Sequence, residues 1–175
     1  ITIDDGYNDA YSAAWPILKE FGYPFTYFVY TNYINAGGRS ITWDQLREMQ
    51  KSGLVDIQGH TYWHPNFKQD KKKMTNADWQ KDLDTQLVKS KKVLEEKMGT
   101  QITLLAWPFG IYTPELEQAA KNAGYEMAFS IDGRSANRSE NPMSQPRYLI
   151  VESEGINTFA SIIEGKAQGL KQSEG

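Results

Sequence analysis

A chain of 175 residues is long enough for one domain with a substantial buried core. A net charge of -3 with 23% charged residues offers no basic field for nucleic acid or anionic lipid. The lack of cysteine removes disulfides, thiolate metal sites and cysteine nucleophiles, and no apolar run is long enough to span a bilayer.

The chain opens on Ile1-Thr2-Ile3, in the middle of what reads as a strand over residues 1–5 that ends at Gly6. A fragment or processed form, with upstream sequence missing, is therefore expected. Asn8 suits a helix cap, and Ala10, Ala13, Ala14, Ile17 and Leu18 predict an apolar stripe. That helix should run to about Phe21, kinked at Pro16 and stopped at Gly22. Residues 25–30 are aromatic and β-branched, hence a strand. Thr42-Trp43-Asp44-Gln45 matches a capping box for a helix that ends at Gly53, and residues 55–59 form a short strand delivering His60.

Lys71-Lys72-Lys73 reads as a solvated loop, with contact to an acidic partner as the alternative. A long helix over residues 76–98 follows, with Trp79, Leu83, Leu87, Leu94 and Met98 on one face and Gly99 as its stop. Residues 102–107 predict a strand, and Thr113-Pro114-Glu115 starts a helix that stops at Gly124. Strands are expected at 127–131 and 148–151, then a last helix over about 157–168 and a polar tail. Six strands alternating with helices predict a mainly parallel sheet. The fold class is α/β, a distorted or incomplete (β/α) barrel with mainly parallel strands. No dinucleotide or phosphate-loop fingerprint follows the first strand.

Three polar segments fall just after strands: Asp4-Asp5-Gly6, His60 to His64, and Trp107-Pro108-Phe109-Gly110. Sites on parallel sheets form at the carboxyl ends of strands, so all three point into one mouth. His60 and His64 are the only two histidines. At i, i+4 spacing on a helical turn they can grip one ion, the alternative being two unrelated surface histidines. Adjacent Asp4 and Asp5 leave an extended chain on opposite faces, which favours two jobs: one carboxylate completing an Asp-His-His set, the other a base. Two histidines and a carboxylate leave open positions for water and substrate, as in a metallohydrolase or a non-haem iron oxygenase. The second carboxylate favours hydrolysis, and Thr61 after His60 argues against a zincin. Aromatic residues, 13% of the chain, mostly serve the core, though some suit a groove that stacks on sugars.

Thr2-Ile3-Asp4-Asp5-Gly6 resembles the first motif of the polysaccharide deacetylases (carbohydrate esterase family 4, the NodB-homology domain), and His60-Thr61-x-x-His64-Pro65 resembles the second. Trp107-Pro108-Phe109-Gly110 is similar to the third. The likeness runs over residues 1–151 and implies a single such domain over 1–175, apparently lacking its N-terminal part. It implies metal-dependent removal of acetyl groups from a polysaccharide, usually from N-acetylglucosamine units, at the cell surface, in the periplasm or outside the cell. The Ala-Trp-Pro-Phe-Gly form resembles the branch acting on poly-β-1,6-N-acetylglucosamine.

By the same resemblance, Asp4 is the general base, and Asp5, His60 and His64 hold Zn2+ or a similar divalent ion. The Phe109 N–H helps to bind the oxyanion, while Tyr7, Trp107 and Pro108 contact substrate. Two departures stand out. Ala106 occupies the place of the motif arginine that orients the base, and Leu149-Ile150-Val151 lacks the histidine expected as general acid. Arg147 or Arg134 are candidates for the first role, and Glu152, Glu154 or Asp132 for the second. The alternative functions are an O-acetyl xylan esterase and a catalytically weak glycan-binding domain of the same fold.

Overall fold

In the computed structural model, which describes residues 1–151, 153 and 155–167, five parallel strands form one sheet among the described residues. They are β1 (Thr2–Ile3), β2 (Phe25–Val29), β3 (Val55–Gly59), β4 (Leu104–Ala106) and β5 (Met127–Phe129), and their order across the sheet is their order in the chain. An unbroken 1-2-3-4-5 order means that every crossover steps the same way, which curls a parallel sheet toward a barrel. Five strands give a curled half-barrel, the incomplete (β/α) barrel expected from the alternation of elements.

The helices form where cap and stripe agree. Thr42 accepts from the Gln45 amide at 3.2 Å while the Gln45 side chain accepts from the Thr42 amide at 2.9 Å, a complete capping box that starts α2 (Trp43–Lys51). Leu46 and Met49 then face the core. The predicted long helix is present as α4 (Asn76–Leu83) and α5 (Ser90–Met98), joined by a π turn over Asp84–Lys89 and ended by Gly99 at φ 69°. Trp79, Leu83, Leu87, Leu94 and Met98 are all buried, as their spacing predicts. Thr113 caps α6 (Pro114–Asn122) by accepting from Leu116 at 3.2 Å.

Several expectations are corrected. The first helix opens with a π turn at Ala10–Ala14 before α1 (Trp15–Glu20); the Asn8 carbonyl accepts from the Ser12 amide, but neither the Asn8 nor the Asp9 side chain caps the helix with a hydrogen bond. A π turn closes i→i+5 and so shifts the phase of everything after it. Ala10 is buried as its place on the stripe predicts, but after the turn Trp15 is buried and Ile17, placed on the stripe by regular α-helical spacing, is 58% exposed. The lysine run is a 3-10 turn extending α3 (Phe67–Asp70), and Lys71 pairs with Glu115. Residues 148–151 form no strand; among the described residues, pairing beyond β5 is a single bridge, Phe129 to Gln145. The last helix, α7, spans Gly155–Ile163, and Gln168 lies outside the described residues.

Candidate active site

The β1, β3 and β4 ends converge on a cavity of about 950 Å³ lined by Asp4, Asp5, His60, His64, Trp107 and Phe109 together with residues of α3 and of the chain after β5. Its floor is built from unusual backbone. Asp5, Thr61, His64 and Phe109 all have positive φ (84°, 71°, 60° and 55°) without being glycine. Such residues cost about 1–3 kcal/mol each and persist only where the surroundings impose them. The His60–His64 segment is therefore a left-handed turn, not the helical turn that i, i+4 spacing suggested. Thr61 and His64 bend the chain so that both imidazoles still face one point.

That point is Asp5. Its Oδ1 lies 3.3 Å from His60 Nε2 and 3.4 Å from His64 Nε2. One ligand atom from each of the three residues falls within 4.8 Å of the others, the one such trio among the described residues. The buried His60 ring sits with Nδ1 2.7 Å from the Ala106 carbonyl oxygen. A carbonyl only accepts, so Nδ1 carries the proton and Nε2 turns its lone pair toward Asp5. Acceptors facing each other at this distance call for a cation between them, and a backbone-anchored second nitrogen is the usual support of a ligating histidine. Burial, then the neighbouring His60, push the His64 pKa down, outweighing the pull of Asp5 and Asp4. Burial pushes the Asp5 carboxyl up, but the facing His60, and the positive charge that either ring would carry when protonated, outweigh it and hold the carboxyl below the usual range. Neutral imidazole beside ionised carboxylate is the ligating form, so the donor set fits a divalent metal.

Asp4 takes the other direction. Arg147 donates to both of its oxygens, Nη1 to Oδ1 at 2.9 Å and Nη2 to Oδ2 at 2.8 Å, in a fork. The same guanidinium donates to Thr2 Oγ1 at 3.0 Å and, through Nε, to the Ser130 carbonyl at 3.1 Å. It lies 5.5 Å from the Phe28 ring centroid and 5.7 Å from that of Phe129. One side chain thus ties the β1 edge of the half-barrel to the segment after β5. Of the two candidate arginines, Arg147 faces Asp4 while Arg134 pairs with Glu140. Ala106 is fully buried, with its carbonyl on His60.

The remaining candidates are placed as follows. The Phe109 ring is exposed and packs edge-on against His64 at 4.6 Å between centroids. Trp107 borders the cavity but is only 1% exposed, with its indole N–H on the Met143 carbonyl. Pro108 is buried, Tyr7 packs on Tyr33 under Arg39, and neither lines the cavity. Asp132 does line it, accepting from Tyr112 and Ser130 hydroxyls. Glu152 and Glu154 lie outside the described residues. Sequence reasoning missed Gln86, which accepts from the amides of Tyr62 and Trp63 inside the histidine turn; a glutamine amid helix residues carries no local signal for that role.

Residues 1–128 match the family model for polysaccharide deacetylase. The chain is 29% identical over 155 residues to the poly-β-1,6-N-acetyl-D-glucosamine N-deacetylase of Staphylococcus aureus (strain MRSA252), covering 86% of this chain and 53% of that protein. It spans about half the length of the curated relatives it matches. Among solved structures, it superposes on the Streptococcus pyogenes deacetylase PplD in complex with acetate with a TM-score of 0.76 at 26% identity, covering 86% of this chain and 63% of that one. IcaB from Ammonifex degensii shares the fold with a TM-score of 0.79 at 23% identity over 95% of this chain and 72% of that one.

Proposed function

Because the chain belongs to the polysaccharide deacetylase family, we propose that it hydrolyses acetyl groups from a polysaccharide, removing them from the nitrogen of N-acetylglucosamine units. The observation that carries this reading is the division of labour between neighbours: Asp5 turns to two imidazoles while Asp4 is held apart by Arg147. The Staphylococcus relative's name directs the choice of polymer to β-1,6-linked N-acetylglucosamine. Such a polymer lies outside the cytoplasm, at the cell surface or in the periplasm. No helix among the described residues is long and apolar enough to cross a membrane.

Asp5, His60 and His64 would hold the divalent ion, zinc by this donor set, whose chemistry there is Lewis-acid polarisation of the acetyl carbonyl and of water. Asp4 takes a proton from the attacking water. Arg147 occupies one lone pair on each Asp4 oxygen, and a carboxylate has about four, so acceptor capacity remains for that proton. The fork also fixes the plane of the carboxylate, which matters because proton transfer needs hydrogen-bond reach. The Phe109 N–H, on a residue already in a strained left-handed conformation, is the oxyanion donor, and one such donor is worth about 3–4 kcal/mol. Phe109 and His64 wall the cavity beside the reacting acetyl group.

The test is acetate release by the zinc-loaded protein from poly-β-1,6-N-acetylglucosamine, chitin oligomers and acetylated xylan. Release chiefly from the first supports the proposal, and release chiefly from xylan makes the protein an O-acetyl esterase. No release from any of the three by a zinc-replete sample leaves a glycan-binding domain and overturns the enzymatic reading.

A further inference from the structure

Most anchors of the histidine turn are backbone groups next to β2. The His60 amide donates to Val29 O, while Thr61 O and Tyr62 O accept from Thr31 and Asn32. The Tyr62 and Trp63 amides instead donate to one side-chain oxygen, Gln86 Oε1, at 3.2 and 3.3 Å. Gln86 is fully buried and sits in the π turn between α4 and α5. Its nitrogen donates to Asp82 Oδ1 at 3.1 Å. Two N–H donors on one side and a carboxylate on the other leave one way for the amide to point. Ser90, one turn further on, donates to the Gln86 carbonyl at 2.5 Å and holds the widened turn.

We propose that Gln86, oriented by Asp82, is a positioning residue for the His60–His64 turn: its amide oxygen sets the separation and aim of the two imidazoles. The proposal rests on the reading of Asp5, His60 and His64 as a divalent-ion site. The turn contains two residues in left-handed conformations, one of them the β-branched Thr61, and strain of that kind relaxes when its supports are removed. Without Gln86 Oε1 two adjacent amides lose their acceptor midway between the histidines. The ring nitrogens then no longer converge on Asp5, although neither histidine has been altered.

Zinc affinity, measured by competition with a chromophoric chelator, tests this on wild type, Gln86→Met, Gln86→Glu, the Gln86→Glu/Asp82→Asn double variant and Leu94→Ala. Gln86→Met should bind zinc about 10- to 100-fold more weakly, the usual loss when a support behind a ligand is removed. Gln86→Glu alone should also weaken binding, since two buried carboxylates then meet. The double variant restores it, because one carboxylate oxygen accepts from the turn and the other from the new amide. It keeps both side-chain volumes, so the contact is still read if Gln86→Met fails to fold. Leu94→Ala opens the core away from the turn and should keep wild-type affinity despite lower stability. In metal-free protein, amide exchange at Tyr62 and Trp63 should accelerate in Gln86→Glu and return to wild type in the double variant. Unchanged affinity and exchange in both single variants overturn the proposal. Wild type that takes up no zinc overturns the metal reading instead, and amide exchange then decides whether Gln86 holds the turn.

Discussion

Arg147 grips Asp4 through both terminal nitrogens of its guanidinium across 143 residues of chain, and by doing so joins the two open edges of the half-barrel. A lysine keeps the charge but offers a point donor in place of a planar fork. Arg147→Lys should therefore keep zinc bound and lower kcat by about 10²-fold, the scale of loss when a reacting group is misplaced by about 1 Å. Steady-state kinetics beside metal analysis checks it; full turnover in Arg147→Lys would show that Asp4 needs no fork.

Asp4 and Asp5 should separate cleanly on substitution. Asp4→Asn removes the proposed base and leaves the Asp5–His60–His64 set intact, so zinc content stays while turnover falls by about 10²- to 10⁴-fold. His60→Ala removes a ligand and should lose both. Metal analysis of the two purified variants distinguishes the roles, and equal zinc in both would dismiss the ligand assignment.

Both histidines of these 175 residues face Asp5, so neither is free to protonate a leaving amine. Amine departure needs that proton far more than departure of a phenolate does. Activated acetyl esters should consequently turn over faster than N-acetylglucosamine oligomers by a margin of about 10²-fold or more, the contribution of a dedicated general acid. Comparison of kcat/KM on the two substrate types decides this; parity would mean that another group supplies the proton.

Acid stability should depend on Glu95. Burial pushes its carboxyl up, but hydrogen bonds from the Lys91 ammonium at 2.7 Å and the Ile102 amide at 3.0 Å carry it below the usual range. The unfolded chain thus binds more protons than the native one in this window. The stabilisation is complete above the ordinary glutamate pKa and is lost as pH falls through the depressed native value. An exposed i, i+4 pair alone is worth about 0.3–0.5 kcal/mol, and the Ile102 amide adds to it. Urea titrations of wild type and Glu95→Gln across that window should converge at low pH and diverge above it; parallel curves would refute the linkage.

Much of this protein was written locally. Strands ending in Asp4-Asp5-Gly6, at Gly59 and in Ala106-Trp107-Pro108 announced a parallel sheet with its chemistry at one mouth, because strand endings, caps and glycine stops depend on residues a few positions apart. His60, His64 and a carboxylate from Asp4 or Asp5 were legible for the same reason, whereas the choice of Asp5 rested on the family resemblance, and Asp5 is the one that faces both rings. Tertiary structure decided what no local window contains. It chose Arg147 over Arg134, since that choice depends on how the chain after β5 returns to β1. It rephased the first helix with a π turn, whose extra residue leaves no mark on the hydrophobic spacing that precedes it. It also bent His60 and His64 together by left-handed backbone and set Gln86 behind them, because strain is held only by contacts distant in sequence.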